Sequence, residues 1–207
     1  MLYSGKDLRK LIIPLIIEQI LAIAVGMADT IMVSAAGEAA VSGVSLVDTV
    51  NILLINVFSA LATGGAVVSG HFLGKKKRED ACKSAWQILL FATLLAFVIS
   101  VIFITAHDPL LRLMFGKIED DVMKASKTYL IITTYSFVAL AIYNSCAALF
   151  RAMNESKVTM WVSLLMNVIN VVGNAICIYG LHMGVAGVAI PTTTSRYVAA
   201  VVIFLLM

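Results

Sequence analysis

A carboxylate lies inside the first long apolar segment of the sequence, at Asp29 in the stretch VGMADTIMVS (residues 25–34). An ionised carboxylate at the centre of a bilayer costs about 2.5–3.5 kcal/mol, and such residues usually face a cavity or a partner. A carboxylate can accept a proton or bind a cation. Asp29 is therefore a candidate functional residue.

Five polar side chains from four apolar segments share one depth in the predicted membrane. These residues are Asp29, Tyr129, Asn170, Asn174 and Thr192. Asn167 precedes the other two asparagines with i, i+3, i+7 spacing, so the three form one stripe on a helix face. Hydrogen bonds between membrane helices explain any single amide or hydroxyl, but they rarely need an ionisable group. The convergence on Asp29 supports a functional cluster, and at this point interhelical hydrogen bonding stays equally open as the alternative.

A second carboxylate, Glu18, lies eleven residues before Asp29. That spacing is close to three helical turns, so the two carboxylates face the same side of one helix. Two interpretations stay open: Glu18 and Asn167 are polar groups along a pathway, or Glu18 is held against a neighbouring helix.

The elements that position these groups follow from composition. Hydrophobic residues make up 61% of the chain and charged residues 13%, with a mean hydropathy of +0.99, whereas a soluble domain is about half apolar and a quarter charged. Crossing a bilayer takes about 20 apolar residues in a helix, and six runs reach that length without the alternation of barrel strands. The predicted spans are about 10–34, 45–73, 82–106, 125–149, 158–180 and 185–207. The sequence thus predicts an all-α polytopic membrane protein built as a six-helix bundle.

Patterns for other chemistries are missing from the sequence. Cys82, Cys146 and Cys177 are far apart and show no metal-ligand or disulfide spacing. The chain has no Ser/His/Asp set, so we expect no enzyme activity and no cofactor other than a coupling ion. The net charge of +3 comes from cations in the connecting segments, and we interpret these as topology signals rather than contacts for nucleic acid.

Lys and Arg concentrate in alternate connecting segments. One set comprises Lys6, Arg9, Lys10, Lys75, Lys76, Lys77, Arg78, Lys83, Arg151 and Lys157. The opposite segments hold only four cations, namely Arg112, Lys117, Lys124 and Lys127. Acidic residues in the same segments offset their charge. By the positive-inside rule the amino terminus is cytoplasmic, in a plasma or inner membrane. The first apolar segment exceeds a signal-peptide core in length, so we expect a retained span.

Three stretches, in order along the chain, resemble the multidrug and toxic compound extrusion (MATE) family. The first is the helix IPLIIEQILAIAVGMADTIMVSAAGEAAVSGVSL (residues 13–46). The second is FSALATGGAVVSGHFLGKKKREDA (58–81), with its closing glycine and basic loop, and the third is LFRAMNESKVTMWVSLLMNVINVVGNAICIYG (149–180). The resemblance extends over essentially the whole chain.

The resemblance implies a twelve-helix exporter of two six-helix lobes, which exchanges Na⁺ or H⁺ for cationic drugs. Residues 1–207 then form the amino-terminal lobe alone, and its partner is the missing carboxy-terminal lobe or a second copy. Asp29 matches the carboxylate of the family's first helix, which takes part in cation coupling, and for Na⁺ it is a candidate metal ligand. Tyr129, Asn170 and Thr192 match the polar cluster around that carboxylate. Asn174 stands where some branches carry a second Asp. Because Asn174 is neutral, we expect no second carboxylate beside Asp29, and this argues against a proton mechanism with two carboxylates.

A flippase for lipids or lipid-linked saccharides is the alternative function, because that class is similar to the MATE family. A cavity for anionic headgroups needs several Arg or Lys side chains. Within the predicted spans, Arg196 alone is clearly intramembrane, and this favours export of amphipathic cations. Substrate identity and the choice between Na⁺ and H⁺ are left open by the sequence.

The positive-inside pattern predicts that residues 74–83 and 151–157 are cytoplasmic and that residues 107–124 face outside. In a cysteine-free background, Lys77→Cys should resist a membrane-impermeant maleimide in intact cells, whereas Lys117→Cys should react. Reaction of position 77 from outside would show that the orientation is opposite to the predicted one.

Overall fold

The computed structural model describes residues 5–207, including the side chains of all of these except 5–8 and 10. Lys6 and Lys10, two of the cations used above to orient the first span, lie outside the described side chains. The described residues form helices and no strand. The helices are α1 (Gly5–Ser34), α2 (Glu38–Gly74), α3 (Arg78–Thr105), α4 (His107–Phe115), α5 (Asp120–Thr134), α6 (Phe137–Ala152), α7 (Ser156–Ala175) and α8 (Ala186–Leu205). A π-helical turn, Ile176–Gly180, continues α7.

Five segments are long and apolar enough to cross a membrane, namely α1, α2, α3, α7 with its π-helical turn, and α8. A sixth crossing requires α5 and α6 together, which confirms the predicted class of polytopic helical bundle. The predicted span 125–149 is not one straight helix, however, because α5 and α6 are bent by 52° at the break between them.

Hydroxyl side chains account for this break. Thr133 and Thr134 donate hydrogen bonds to backbone carbonyls one turn earlier, and Ser136 donates to the carbonyl of Thr133 at 2.6 Å. Such bonds compete with the backbone ladder and bend helices. A hydropathy profile does not detect hydrogen bonds from side-chain hydroxyls to the backbone. The sequence pattern therefore predicts one continuous span.

Helix α4 was not expected, since the segment 107–124 reads as a loop. Leu111 anchors it with 1% exposure, and the Lys127 ammonium on α5 lies 3.1 Å from each Asp108 carboxylate oxygen. The hydrogen bond from Lys127 lowers the pKa of the Asp108 carboxyl. The helix ends at Phe115, and Gly116 follows with φ of +68°, a conformation that glycine adopts without a steric penalty.

Helix α2 is central and packs against α3, α5 and α6. Phe58 on α2 and Phe137 on α6 are fully buried in the same apolar cluster. Helix α1 is peripheral, because Ile13, Ile16 and Ile20 are each more than half exposed. In a membrane, such side chains face lipid or a neighbouring bundle, and α1 is held mainly by α7.

Gly43 allows α2 to approach α5 closely. A Cβ atom at this position would lie 2.6 Å from the Ala125 Cβ and 2.8 Å from the Ser126 backbone nitrogen. The Ser126 hydroxyl also donates to the Gly43 carbonyl at 3.2 Å. The contact sets the distance between the two helices five residues before Asp48 on α2.

We predict that Gly43→Ala lowers the free energy of unfolding by about 1–3 kcal/mol, the usual cost of overpacking. Gly64→Ala is the matched control on the same helix, because a Cβ there meets nothing within 4 Å and should stabilise by up to about 1 kcal/mol. Reversible unfolding in mixed micelles measures both. Equal stability of the two variants would contradict the packing described for Gly43.

Candidate functional site

A chain of hydrogen bonds joins α1, α7 and α8 through the predicted cluster. The Asn174 amide donates to Asp29 Oδ1 at 2.6 Å and to Asn170 Oδ1 at 3.2 Å. The Asn170 amide donates to Thr192 Oγ1 at 2.9 Å, and Thr192 in turn donates to the Val188 carbonyl. The structure thus brings together four of the five predicted site residues.

Backbone packing places these side chains within reach of one another. Asn170 and Asn174 are one turn apart on α7, so their amides lie on one face. Between them, a Cβ at Gly173 would lie 2.7 Å from the Pro191 Cβ on α8. The absence of a side chain at Gly173 therefore lets α8 approach, and Thr192 follows Pro191 directly.

The fifth predicted residue, Tyr129, binds a different carboxylate. Its hydroxyl donates to Asp48 Oδ1 at 3.0 Å, and the Asn51 amide donates to the same oxygen at 3.3 Å. Asp48 and Asn51 lie on α2, and Tyr129 lies on α5. Tyr129 therefore belongs to the polar region but does not hydrogen-bond to Asp29.

Asp48 is the residue that sequence reasoning missed, and the expectation of no second carboxylate beside Asp29 is wrong. The two carboxylates are close enough to repel each other electrostatically. The short turn after Ser34 brings the chain back into α2, and Asp48 on that helix comes within electrostatic range of Asp29. A signal was present, because Asp48 lies inside the predicted span 45–73 and precedes Asn51 by three residues.

Arg196 on α8 supplies the positive charge of the region. Its guanidinium attracts both Asp29 and Asp48, but its nearest hydrogen bond is from Nη1 to Ser136 Oγ at 2.9 Å. Among the described side chains, no Lys, Arg or His nitrogen forms a salt bridge with either carboxylate. The region therefore holds two carboxylates and one guanidinium, with no ion pair in contact.

Asp29 and Asp48 each accept a hydrogen bond from an asparagine side chain. The Asn174 amide donates to Asp29, and the Asn51 amide donates to Asp48. The amide oxygens of Asn174 and Asn51 are buried and accept no hydrogen bond from the described residues. Unpaired oxygens beside a carboxylate are the groups that a proton donor or a hard cation binds.

Glu18 lies apart from this region, in the other half of α1. It accepts hydrogen bonds from Tyr143 on α6 at 3.4 Å and from Thr159 on α7 at 3.3 Å. Glu18 and Asp29 both face α7, as the spacing predicts. These contacts favour the interpretation in which Glu18 is held against neighbouring helices.

Asn167 lies on the same helix as Asn170 and Asn174 but does not join their hydrogen-bond chain. It is 8% exposed, and its amide nitrogen has no partner among the described residues. The predicted stripe of three asparagines thus contributes two members to the site.

Surface grooves and metal clusters do not add to the site. A groove of about 520 Å³ lies between α1, α2 and α6, and one of about 480 Å³ lies on α2 and α3. Neither is lined by Asp29 or Asp48. The part of the chain that the structure describes holds no group of three or more His, Cys, Asp or Glu residues suited to a metal.

Comparison with known proteins relates the fold and the site to a family. The MatE family model matches residues 14–176, a range that includes every site residue named above except Thr192 and Arg196. The uncharacterized transporter YisQ of Bacillus subtilis is 30% identical over 199 residues, which is 94% of this chain and 43% of YisQ. The probable multidrug resistance protein NorM of Halalkalibacterium halodurans is 27% identical over 177 residues, or 86% of this chain and 38% of that protein.

A solved structure shows the same fold. A transporter of the MOP superfamily from Pyrococcus furiosus superposes with a TM-score of 0.89 at 25% identity, over 96% of this chain and 43% of the other. The chain therefore spans less than half the length of the relatives that it matches.

Proposed function

This chain belongs to the MatE family, and we propose that it works as the amino-terminal lobe of a secondary-active exporter of amphipathic cationic compounds. The motif resemblance to membrane transporters of this family is confirmed, and multidrug resistance proteins are among the relatives. Exchange for Na⁺ or H⁺ drives the export. Because transporters of this architecture move one bundle against another around a shared site, the second bundle is a carboxy-terminal lobe or a second copy.

The observation that carries this proposal is the Asp29 carboxylate, which is held by a neutral amide and contacts no cationic group among the described side chains. Asn174 donates to Asp29 at 2.6 Å, and a carboxylate in a membrane normally has a charged partner or a function. A bound proton, Na⁺ or drug supplies the missing positive charge. Asp29 is therefore the coupling residue, and Asn170, Asn174 and Thr192 hold it in place.

Coupling of export to the ion gradient then follows because the cation and the drug compete for the same acidic region. A ligand shifts a conformational equilibrium only by its different affinity for the two states. The coupling cation and a cationic drug both neutralise the region of Asp29 and Asp48, so occupancy by one weakens binding of the other. Export results when the cation binds from outside and displaces the drug.

The position of Asp29 along α1 agrees with cation entry from outside. With a cytoplasmic amino terminus, α1 runs outward, and Asp29 precedes its last residue, Ser34, by five positions. Helix α1 is held mainly by α7 and is otherwise largely exposed. A change in the bond between Asp29 and Asn174 can therefore move α1 with little disturbance of the core.

The alternative function, flipping of lipids or lipid-linked saccharides, draws support from Arg196, a buried cation at the same site. The Pyrococcus furiosus transporter is described as having a reverse polarity of its binding pocket that suggests a different function. Here two carboxyl groups share the region with one guanidinium, which gives a formal charge of −1 when both acids are ionised. This charge favours a cationic substrate over an anionic headgroup.

We predict that Asp29→Asn, in the protein as the cell makes it, abolishes drug efflux driven by an ion gradient and leaves expression intact. The amide keeps the size of the side chain but cannot bind a cation by charge. Asp29→Glu should keep part of the activity with a shifted pH optimum. Efflux of a fluorescent cation from everted vesicles or proteoliposomes measures the rates.

Asp121→Asn is the matched control, because it makes the same substitution at an exposed carboxylate on α5 and should leave efflux unchanged. If Asp29→Asn exports at the wild-type rate with the same dependence on pH and Na⁺, the assignment of Asp29 is wrong.

A further inference from the structure

Asp48 is held in place through one of its two carboxylate oxygens. Tyr129 and Asn51 both donate to Oδ1, at 3.0 Å and 3.3 Å. No described side chain or backbone group donates a hydrogen bond to Oδ2, and no described cationic side chain forms a salt bridge with Asp48. The second oxygen therefore keeps its lone pairs for a ligand.

Asn51 provides an independent sign that a ligand binds here. The residue is 2% exposed, and its Oδ1 atom accepts no hydrogen bond from any described residue. Buried polar atoms in native proteins nearly always have a partner, so an exception calls for an ion, a water or another ligand. Because the amide nitrogen of Asn51 is bound to Asp48, its unpaired oxygen lies beside that carboxylate.

The available atoms define the class of ligand. Asp48 Oδ2, Asn51 Oδ1 and the Tyr129 hydroxyl are all oxygens, which hard metal cations prefer. One carboxylate in contact, with the Arg196 guanidinium nearby, suits a single positive charge rather than two. The Asn51 oxygen is enclosed, so a bulky organic ammonium does not fit against it, whereas a bare Na⁺ ion is smaller than a water molecule.

We propose that Asp48, Asn51 and Tyr129 form a second cation site in this lobe, which binds a small monovalent metal ion such as Na⁺. The site lies on α2 and α5 and is separate from the Asp29 pair, where the proposed function places the coupling cation. A cation at Asp48 also screens the repulsion between Asp48 and Asp29, so occupancy stabilises the ionised form of both carboxylates.

Equilibrium binding of ²²Na⁺ to the purified protein tests this site. At constant pH and ionic strength, with N-methylglucamine replacing Na⁺, Asp48→Asn should lose one bound Na⁺ per chain. Asn51→Ala should weaken the Na⁺ Kd at this site by about tenfold, as loss of a group supporting a metal site does. Asp121→Asn, the exposed carboxylate on α5, should bind Na⁺ like the wild type.

The variants also separate the two carboxylates. Asp29→Asn should still bind at least one Na⁺ per chain, because the Asp48 site is intact. The proposal is overturned if Asp48→Asn keeps the wild-type Na⁺ stoichiometry, or if Asp29→Asn binds none. Melting temperature and gel filtration monitor folding, and if Asp48→Asn is unfolded, an unchanged Na⁺ Kd in Asn51→Ala overturns the site.

Failure of this site and failure of the proposed function give different results. Loss of Na⁺ from Asp48→Asn does not depend on whether Asp29 couples transport. Conversely, wild-type efflux by Asp29→Asn refutes the coupling role and leaves the Na⁺ count at Asp48 as a separate fact.

Discussion

The hydrogen bond between Asn174 and Asp29 connects residues 145 positions apart at 2.6 Å, and the arrangement of the polar region depends on it. The bond stabilises a carboxylate inside an apolar bundle without neutralising its charge. A salt bridge would satisfy the charge and leave nothing for a ligand, whereas a neutral amide keeps the carboxylate in place and still negative. Helix α1, largely exposed elsewhere, is thereby fixed against α7 at the depth of the proposed cation site.

Close packing of the backbones determines where the other charges lie. Because Gly173 has no side chain, Pro191 packs against it and α8 lies close to α7. Thr192 then reaches Asn170. Arg196, on the same helix, comes within electrostatic range of both carboxylates. Gly43 does the same for α2 and α5, on which Asp48 and its partner Tyr129 lie. The polar region therefore depends on two glycines whose missing side chains set the spacing of the helices around it.

Sequence alone predicts the depth of a residue in a membrane helix but not the direction in which it points across the bundle. Run length gives the spans, and helical periodicity groups Asn170 with Asn174, so part of the site follows from the chain itself. Depth alone groups Tyr129 with Asp29. In the structure, α5 packs on α2, and the Tyr129 hydroxyl donates its hydrogen bond to Asp48 instead. The break before α6 also escaped prediction, since it depends on hydroxyl groups that bond to the backbone and not on hydropathy.

Interchange of the two side chains that form the central bond tests most directly whether one unneutralised carboxylate between α1 and α7 binds the coupling cation. The double variant Asp29→Asn with Asn174→Asp keeps one carboxylate and one amide in contact but moves the charge to the other helix. We predict that gradient-driven efflux in proteoliposomes recovers above that of Asp29→Asn alone. A folded double variant that transports no faster than Asp29→Asn would contradict the central role of this pair.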